Sequence, residues 1–440
     1  HSALLARRHF PEPQLDEPLA TRFREIFRTM WSDETGRPLA DTFGRHIYRV
    51  FTNSAQMISL LCDAYEAGEG IEWLERAASL ADFVQEWQVD VGYYAVPDVM
   101  DPTRSVIYTT VLYPAKSILE LCEIERRLGE SSSPWQERYQ RHFASAGRAI
   151  EHLALALDDL NTEGPDSFED GMIACSAAQL ALYALSLEDQ DDRRRFTAAA
   201  EHMLTAHACL EQQLIPDSRM SCCSLRFWEA QYDVLARKSW NMLNSPHGWT
   251  AWSLYASYYL YLLTGKQKWL THLFNGLGAC AQLVDPESGT LRWSFVADPY
   301  VEVSLLEPDP EHPGRGKRFE TVIGEDYLPM IADFHYPDSE PVLGNSPDNG
   351  WACCNDVHEI FKCMEETVLR NAFVYQTDDG SFAGRNCTVE STGNKLNVAA
   401  AESVVQRLHV NTIATVDIHF KAGSDSVSIE KWSGCGWATR

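Results

Sequence analysis

Residues 249–270 read WTAWSLYASYYLYLLTGKQKWL: an apolar run from Trp249 to Leu263, a stop at Gly265, and Trp269-Leu270 opening a second segment that runs towards Val284. Apolar residues fall on nearly every face of the first run, which suits a helix covered on both sides. A glycine just past the last periodic residue is a helix stop. The same design recurs three times. Ser54–Glu66 carries Met57, Leu60, Leu61, Ala64 and Tyr65, stops at Gly68 and restarts at Trp73-Leu74 towards Leu80 and Phe83. Tyr113–Arg127 stops at Gly129 and restarts at Trp135, and a less regular copy joins Met172–Leu187 to Phe196–Leu214. Trp73 and Trp135 stand 62 residues apart.

A hairpin that returns at this spacing is an internal repeat, each copy burying a face against its neighbours. Charge gathers on the second helices, as in Asp189–Arg195 and in Glu137, Arg138 and Arg141. About eleven or twelve helices fit before Arg370 at ordinary helix lengths. Six hairpins close into a ring, whereas an open solenoid would show shorter and more regular repeats, roughly 34–47 residues. The expected class is therefore mainly α, an (α/α)6 toroid over residues 1–370. A smaller antiparallel β-domain is expected over 371–440, and it need not be complete. Its strands are read at Phe373-Val374-Tyr375, Val404–His409, Thr412–Phe420 and Val427–Ile429, with turns at Asp378-Asp379-Gly380 and Gly423-Ser424. Asp298–Ser346, rich in Pro, Gly, Asp and Glu, is too long for a plain turn and reads as a lid-like loop.

Composition narrows the partners. In 440 residues, 37 Lys plus Arg against 63 Asp plus Glu give a net charge of −26, which argues against binding nucleic acid or a membrane surface. One pocket lined by a few arginines can still take an acidic ligand. No stretch reaches the roughly 18 apolar residues of a membrane span. The first residues, His1-Ser2-Ala3-Leu4-Leu5, show neither an initiating Met nor a signal-peptide layout, so an export signal could have been removed. Of twelve Cys, several (Cys62, Cys122, Cys175, Cys209, Cys280) lie on apolar helical faces, where a thiol acts as a small hydrophobe. That usage points to a reducing, cytoplasmic setting, while the sequon Asn386-Cys387-Thr388 keeps secretion open. Walker, Rossmann, HExxH and GxSxG signatures are absent from the sequence.

Loops entering inner helices are where a rigid ring can hold chemistry around a cleft. Phe168-Glu169-Asp170-Gly171-Met172 precedes an apolar helix, either as a cap or as a general acid or base at the mouth. In Arg226-Phe227-Trp228-Glu229-Ala230-Gln231-Tyr232-Asp233, read as helix, Arg226, Glu229 and Asp233 share a face. That face is either a salt-bridged surface or a sugar platform with a carboxylate clamp. Pro246 and Gly248 bracket His247 beside Trp249 and near Asn244, leaving a structural histidine and an acid/base both open. Gly324-Glu325-Asp326-Tyr327 sets two carboxylates beside a phenol, or is a surface turn. Last, Asn349–Glu359 holds Asn355, Asp356 and His358 near Cys353-Cys354. Cys354 and His358 are at i, i+4, but with Cys353 they are weak metal candidates, since zinc wants at least three protein ligands. No cofactor and no metal are expected.

At these clusters the chain resembles the six-hairpin toroid enzymes that act on uronic-acid-containing glycans, and is similar to rhamnosyl-glucuronate lyases and to β-glucuronidase-type hydrolases. The resemblance rests on FEDGM (Phe168–Met172), RFWEAQYD (Arg226–Asp233), NSPHGW (Asn244–Trp249) and WACCNDVHEIFK (Trp351–Lys362). The Cys pair is also similar to that of zinc-dependent β-arabinofuranosidases, whose further Glu and Cys ligands find no evident Glu-x-Cys counterpart here. The resemblance implies a lyase that cleaves at glucuronate by β-elimination. Arg226 and Asn244 would neutralise the carboxylate, and His247 and Tyr232 would serve as base and acid. Trp228, Trp249, Glu325, Tyr327, Asn355 and His358 would line the substrate. As a glycoside hydrolase it would instead use a carboxylate pair from Asp170 and Glu229, or Glu325. A non-catalytic glycan-binding scaffold, the third reading, expects the clusters to scatter over the surface. The implied partner is a uronate-containing oligosaccharide or polysaccharide, and a homo-oligomer is compatible with the sequence.

Overall fold

The computed structural model describes residues 18, 21, 24–25, 47–94, 108–155, 167–206, 224–228, 243–245, 250–281, 296–297 and 361–439. The repeat becomes four helical hairpins: α1 (Ile47–Glu66) with α2 (Ile71–Glu86), α3 (Tyr108–Gly129) with α4 (Ser133–Leu155), α5 (Asp170–Ser186) with α6 (Gln190–Ala206), and α7 (Thr250–Thr264) with α8 (Gln267–Ala281). Two of the stops adopt the left-handed conformation that glycine allows at a helix C-terminus, Gly68 at φ +87° and Gly265 at φ +64°. Gly265 has a second reason to lack a side chain, because a Cβ there would meet Asn411 Nδ2 at 3.0 Å. The restart tryptophans Trp73, Trp135 and Trp269 are buried, and each lies under a cation: Arg76 at 5.4 Å, Arg138 at 4.5 Å and Lys268 at 4.2 Å.

The first two hairpins are stacked in register. Ser59 meets Ser117, Glu66 meets Arg127, Asp82 meets Arg141 and His142, and Gln88 meets Arg148, all at separations of 58–61 residues. Because Ser59 and Glu66 of α1 meet Ser117 and Arg127 of α3 in the same order, the two helices run the same way. The inner helices α5 and α7 are buried over Ile173–Ala181 and Ala251–Tyr261, whereas Asp191, Asp192, Arg194 and Arg195 of α6 are exposed or paired on the outside. Cys62, Cys122 and Cys175 are buried thiols in this core, pushed up in pKa mainly by burial. Side chains of Cys209 and Cys280 lie outside the described residues, as does all of Asp298–Ser346.

Inner elements pack in the order α1, α3, α5, α7. The helical turn 361–364 and the π-helical turn Glu365–Leu369 then lie against α7 on one side and reach α1 on the other, where Lys362 Nζ meets Asp63 Oδ2 at 3.0 Å across 299 residues. The array closes. It is an (α/α)6 toroid with a C-terminal strand domain. Among the described residues, no helix is long and apolar enough to cross a membrane.

Two sheets complete the fold. The first is four short antiparallel strands in the order β1 (Ser167–Glu169), β2 (Ser224–Trp228), β3 (Leu243–Ser245) and β4 (Val296–Ala297). The second comprises β5 (Asn371–Gln376), β6 (Phe382–Arg385), β7 (Cys387–Thr392), β8 (Lys395–Ala400), β9 (Arg407–Ala422) and β10 (Asp425–Thr439). Its order is β6-β5-β9-β8-β7, with β10 along the other side of β9. The sheet is mixed rather than purely antiparallel. One edge of β9 takes β5 in parallel along its first half and β8 in parallel along its second. The separate strands expected at Val404–His409 and Thr412–Phe420 are one continuous strand, β9, entered by a turn at Val404. Phe373 of β5 is buried in the helical core among Tyr258, Tyr261 and Phe274, so the sheet is keyed into the ring. Asn386 of the sequon, at φ +55°, donates both hydrogens of its amide to main-chain carbonyls, Val368 at 2.9 Å and Asn371 at 2.8 Å. In the folded chain that amide is a strut between ring and sheet.

Candidate functional site

The small sheet decides where the motifs go. Glu169 of β1 is the register partner of Arg226 of β2, and Arg226 is in turn the partner of Leu243 of β3. Phe168 pairs with Phe227, Ser167 with Trp228, and Leu225 with Asn244. Adjacent strands lie about 4.8 Å apart, so Glu169, Arg226 and Leu243 span about 10 Å of main chain. Asp170, the residue after β1, is the first of α5, and α7 begins at Thr250, shortly after β3 ends at Ser245. The sheet therefore holds the N-terminal ends of two neighbouring inner helices to one edge of the ring. A fourth motif arrives from the other side. Cys363, next to the end of the Trp351–Lys362 stretch, places its Sγ 3.5 Å from the carbonyl of Ala251 in the first turn of α7.

Three motifs far apart in sequence thus share one sheet, and the end of another abuts the same helix. The helical reading is corrected at Arg226: Ser224–Trp228 is a strand, because Ser-Leu-Arg-Phe-Trp finds partners on both sides, while Glu229 and Asp233 lie outside the described residues. Asp170, Arg226, Trp228 and Asn244 stand in α5, β2, β2 and β3. Glu229, Tyr232, His247, Trp249, Glu325, Tyr327, Cys353, Cys354, Asn355 and His358 lie outside the described residues.

Deeper in the ring is a polar cluster that sequence reading missed. Tyr255 and Tyr259 sit about 7.5 and 13.5 Å along α7 from its first residue, at a rise of about 1.5 Å per residue. Lys116 Nζ lies over the Tyr255 ring at 4.2 Å, pairs with Glu120, and lies 3.2 Å from Glu366, which also accepts the Tyr259 hydroxyl hydrogen. Glu120 takes a further hydrogen bond from Ser59, and Lys362 stands 3.8 Å from it and 3.0 Å from Asp63. Pro114, inside α3, leaves a gap in that helix's donor ladder. Two residues on, the Lys116 main-chain N–H donates to Gln179 Oε1 of α5 at 3.0 Å.

The electrostatics are those of fixed charges. Burial pulls the Lys116 ammonium down, but Glu120 and Glu366 outweigh it and its pKa is raised. Burial likewise opposes Glu120, yet Lys116 and Lys362 hold it below the usual carboxylate range. Lys362 is raised against burial by Asp63 and Glu120. Burial, reinforced by Glu366, pushes the Tyr255 and Tyr259 phenols well up. At neutral pH this layer holds ammonium, carboxylate and neutral phenol groups, an arrangement for orienting neighbours rather than exchanging protons. Among the described residues no group of three or more His, Cys, Asp and Glu is arranged to hold a metal ion. The visible signal for the cluster was Lys116 and Glu120 at i, i+4 in the mostly apolar stretch Val111–Cys122 of α3.

No protein-family model and no curated protein matches the chain. Solved structures do. A sugar epimerase from a ruminal bacterium is 13% identical over 83% of this chain and 84% of that one, with a TM-score of 0.51. A cellobiose 2-epimerase from Bacillus thermoamylovorans is 10% identical over 83% and 85%, also at 0.51. A β-L-arabinofuranosidase of glycoside hydrolase family 127 from Geobacillus stearothermophilus is 10% identical over 100% of this chain and 68% of that one, at 0.49. At such identities the likeness is one of architecture, and the chain shares the toroidal fold of the two epimerases.

Proposed function

We propose that the chain is a carbohydrate-active enzyme that cleaves a glycosidic bond at glucuronate by β-elimination. The observation that carries this reading is the cross-strand line Glu169–Arg226–Leu243 at the heads of α5 and α7, with Asn244 next in β3. Elimination needs the uronate carboxylate neutralised, the C5 proton removed and the leaving oxygen protonated. Arg226 takes the first task by bidentate pairing, assisted by Asn244. The N-terminal ends of α5 and α7 add positive potential at the same edge. His247, which lies in sequence between β3 and α7, is the base and Tyr232 the acid. Trp228 and Trp249 stack on sugar faces, and Glu325, Tyr327, Asn355 and His358 complete the walls. The names of the structurally similar proteins, a sugar epimerase and a cellobiose 2-epimerase, support a sugar as substrate.

Hydrolysis is the second reading, favoured by Glu169 and Asp170 standing together where β1 meets α5. Asp170 would then work with Glu229 or Glu325 across the bond. Incubation with glucuronate-containing oligosaccharides separates the two. Elimination leaves an unsaturated uronate that absorbs ultraviolet light and is one water lighter than the hydrolytic product. Cleavage without that chromophore overturns elimination in favour of hydrolysis. Binding without cleavage returns the chain to a glycan-binding scaffold.

A further inference from the structure

The segment that follows the last motif, residues 361–369, is fastened to three inner helices at once. Lys362 reaches Asp63 of α1 at 3.0 Å and Glu120 of α3 at 3.8 Å. Cys363 Sγ lies on the Ala251 carbonyl of α7, and Glu366 joins Lys116 of α3 and Tyr259 of α7. A π-helical turn follows, Glu365–Leu369. It sends consecutive carboxylates to different partners, Glu365 to Arg370 and Glu366 to Lys116.

We propose that Lys362 is a positioning residue: its ion pair with Asp63 closes the ring between the last and first inner elements and fixes the register of residues 361–369 against α1, α3 and α7. The catalytic consequence rests on the elimination reading; the positioning itself does not. Asp63 and Lys362 are each 8% exposed. Charges buried this far generally add less stability than apolar residues of the same volume, because desolvation cancels most of their attraction. A methionine would fill the site as well. What it would lack is selectivity. A slip of the segment by one residue puts Phe361 or Cys363 where Lys362 stands, leaving Asp63 and Glu120 close together without that ammonium and taking Glu366 away from Lys116. A charged pair penalises the slipped register in a way that apolar packing does not.

The test compares the parent chain with Lys362→Met, Asp63→Asn and the double variant, by denaturant midpoint, by hydrogen exchange of peptides covering 351–369, and by the chromophore assay on glucuronate oligosaccharides. Lys362→Met alone takes an ammonium away from Asp63 and from Glu120, which keeps Lys116, and lowers the midpoint, and the double variant recovers most of that loss. In the double variant, exchange across 351–369 should stay about tenfold faster than in the parent, as expected for a segment with a lower local opening free energy, while exchange in α5 and α6 is unchanged. Turnover should fall about tenfold with it. A double variant with parental midpoint and parental exchange overturns the proposal. Faster exchange together with a parent chain that cleaves no glucuronate glycan upholds the positioning role and removes only the elimination reading.

Discussion

Acidification should weaken the joint between ring and sheet through one histidine. His409 of β9 is 2% exposed and stacks on Phe373 at 4.9 Å and 18°. Its Nε2 lies 2.8 Å from Asn371 Oδ1, an acceptor, so Nε2 carries the hydrogen. Nδ1 is buried with no hydrogen-bond partner among the described residues. Protonating it would bury a charge and an unpaired N–H together. Burial, and after it the positive charge of Arg407, depress the pKa from 6.5 to about 3. Because the folded value lies below the unfolded one, the unfolded chain takes up the proton first. The stabilisation is fully present above pH 6.5 and is lost as pH falls towards 3. At pH 5 an unfolded histidine with a pKa of 6.5 gains about 2 kcal/mol from protonation and the folded one gains almost nothing. That figure depends on the unfolded value alone once the folded pKa is below about 4. Urea unfolding of the parent and of His409→Gln at pH 5 and 7 reads it directly. Glutamine keeps a donor for Asn371 and does not titrate. The variant should be weaker at both pH values through lost stacking, but its stability difference between them should be smaller by about 2 kcal/mol, other titrating groups cancelling. Equal pH dependence in the two proteins would refute the account of a buried neutral imidazole.

Phe373→Ala removes a fully buried ring from among Tyr258, Tyr261 and Phe274 and should cost about 3–5 kcal/mol by denaturant titration; a loss under about 1 kcal/mol would show that the sheet is not keyed into the ring there. His142 behaves oppositely to His409. Burial lowers its pKa, but Asp82 at 3.1 Å and Glu125 at 2.9 Å more than compensate, so its contribution is full below pH 6.5 and is lost as pH rises through the raised folded value. His142→Gln should flatten that alkaline decline in stability, and an unchanged decline would assign it to other groups. Arg226→Ala should lower kcat/KM on glucuronate oligosaccharides roughly 30–150-fold, the equivalent of about 2–3 kcal/mol of charge-assisted hydrogen bonding, with Arg226→Lys in between. Unchanged kinetics would remove Arg226 from the site.

The helical half was readable because its punctuation is local. Gly68 and Gly265 mark their stops through a conformation that costs other residues energy, and Trp73, Trp135 and Trp269 mark the restarts. Starts were less visible. α1 begins at Ile47 and α3 at Tyr108, ahead of the expected Ser54 and Tyr113, and Pro114 sits inside α3 where it would more often lie in a first turn. The strands that gather the motifs are two to five residues long, too short to show a period, so Arg226 read equally well as helical. Leu396 and Val398 do alternate with exposed neighbours in β8, which turns back on β7 at Gly393 as an antiparallel hairpin, whereas its parallel pairing with β9 on the other side leaves no local signal. Lys116 and Glu120 carry the spacing of a surface salt bridge. Only the closing of the ring puts them inside.

That closing also separates the charge of the outer surface from the charge inside the ring. Much of the charge of outer helix α6 is spent locally, Arg194 on Asp191 and Arg195 on Glu151 and Asp192, and what remains faces solvent that screens it over about 8 Å at physiological ionic strength. Nearer the mouth the sum is different. The buried layer sets Lys116 and Lys362 against Asp63, Glu120 and Glu366, two cations against three carboxylates. In the small sheet Arg226 is the register partner of Glu169, and Asp170 opens α5, so basic and acidic residues alternate there as well. The formal charge of −26 is a property of the whole surface.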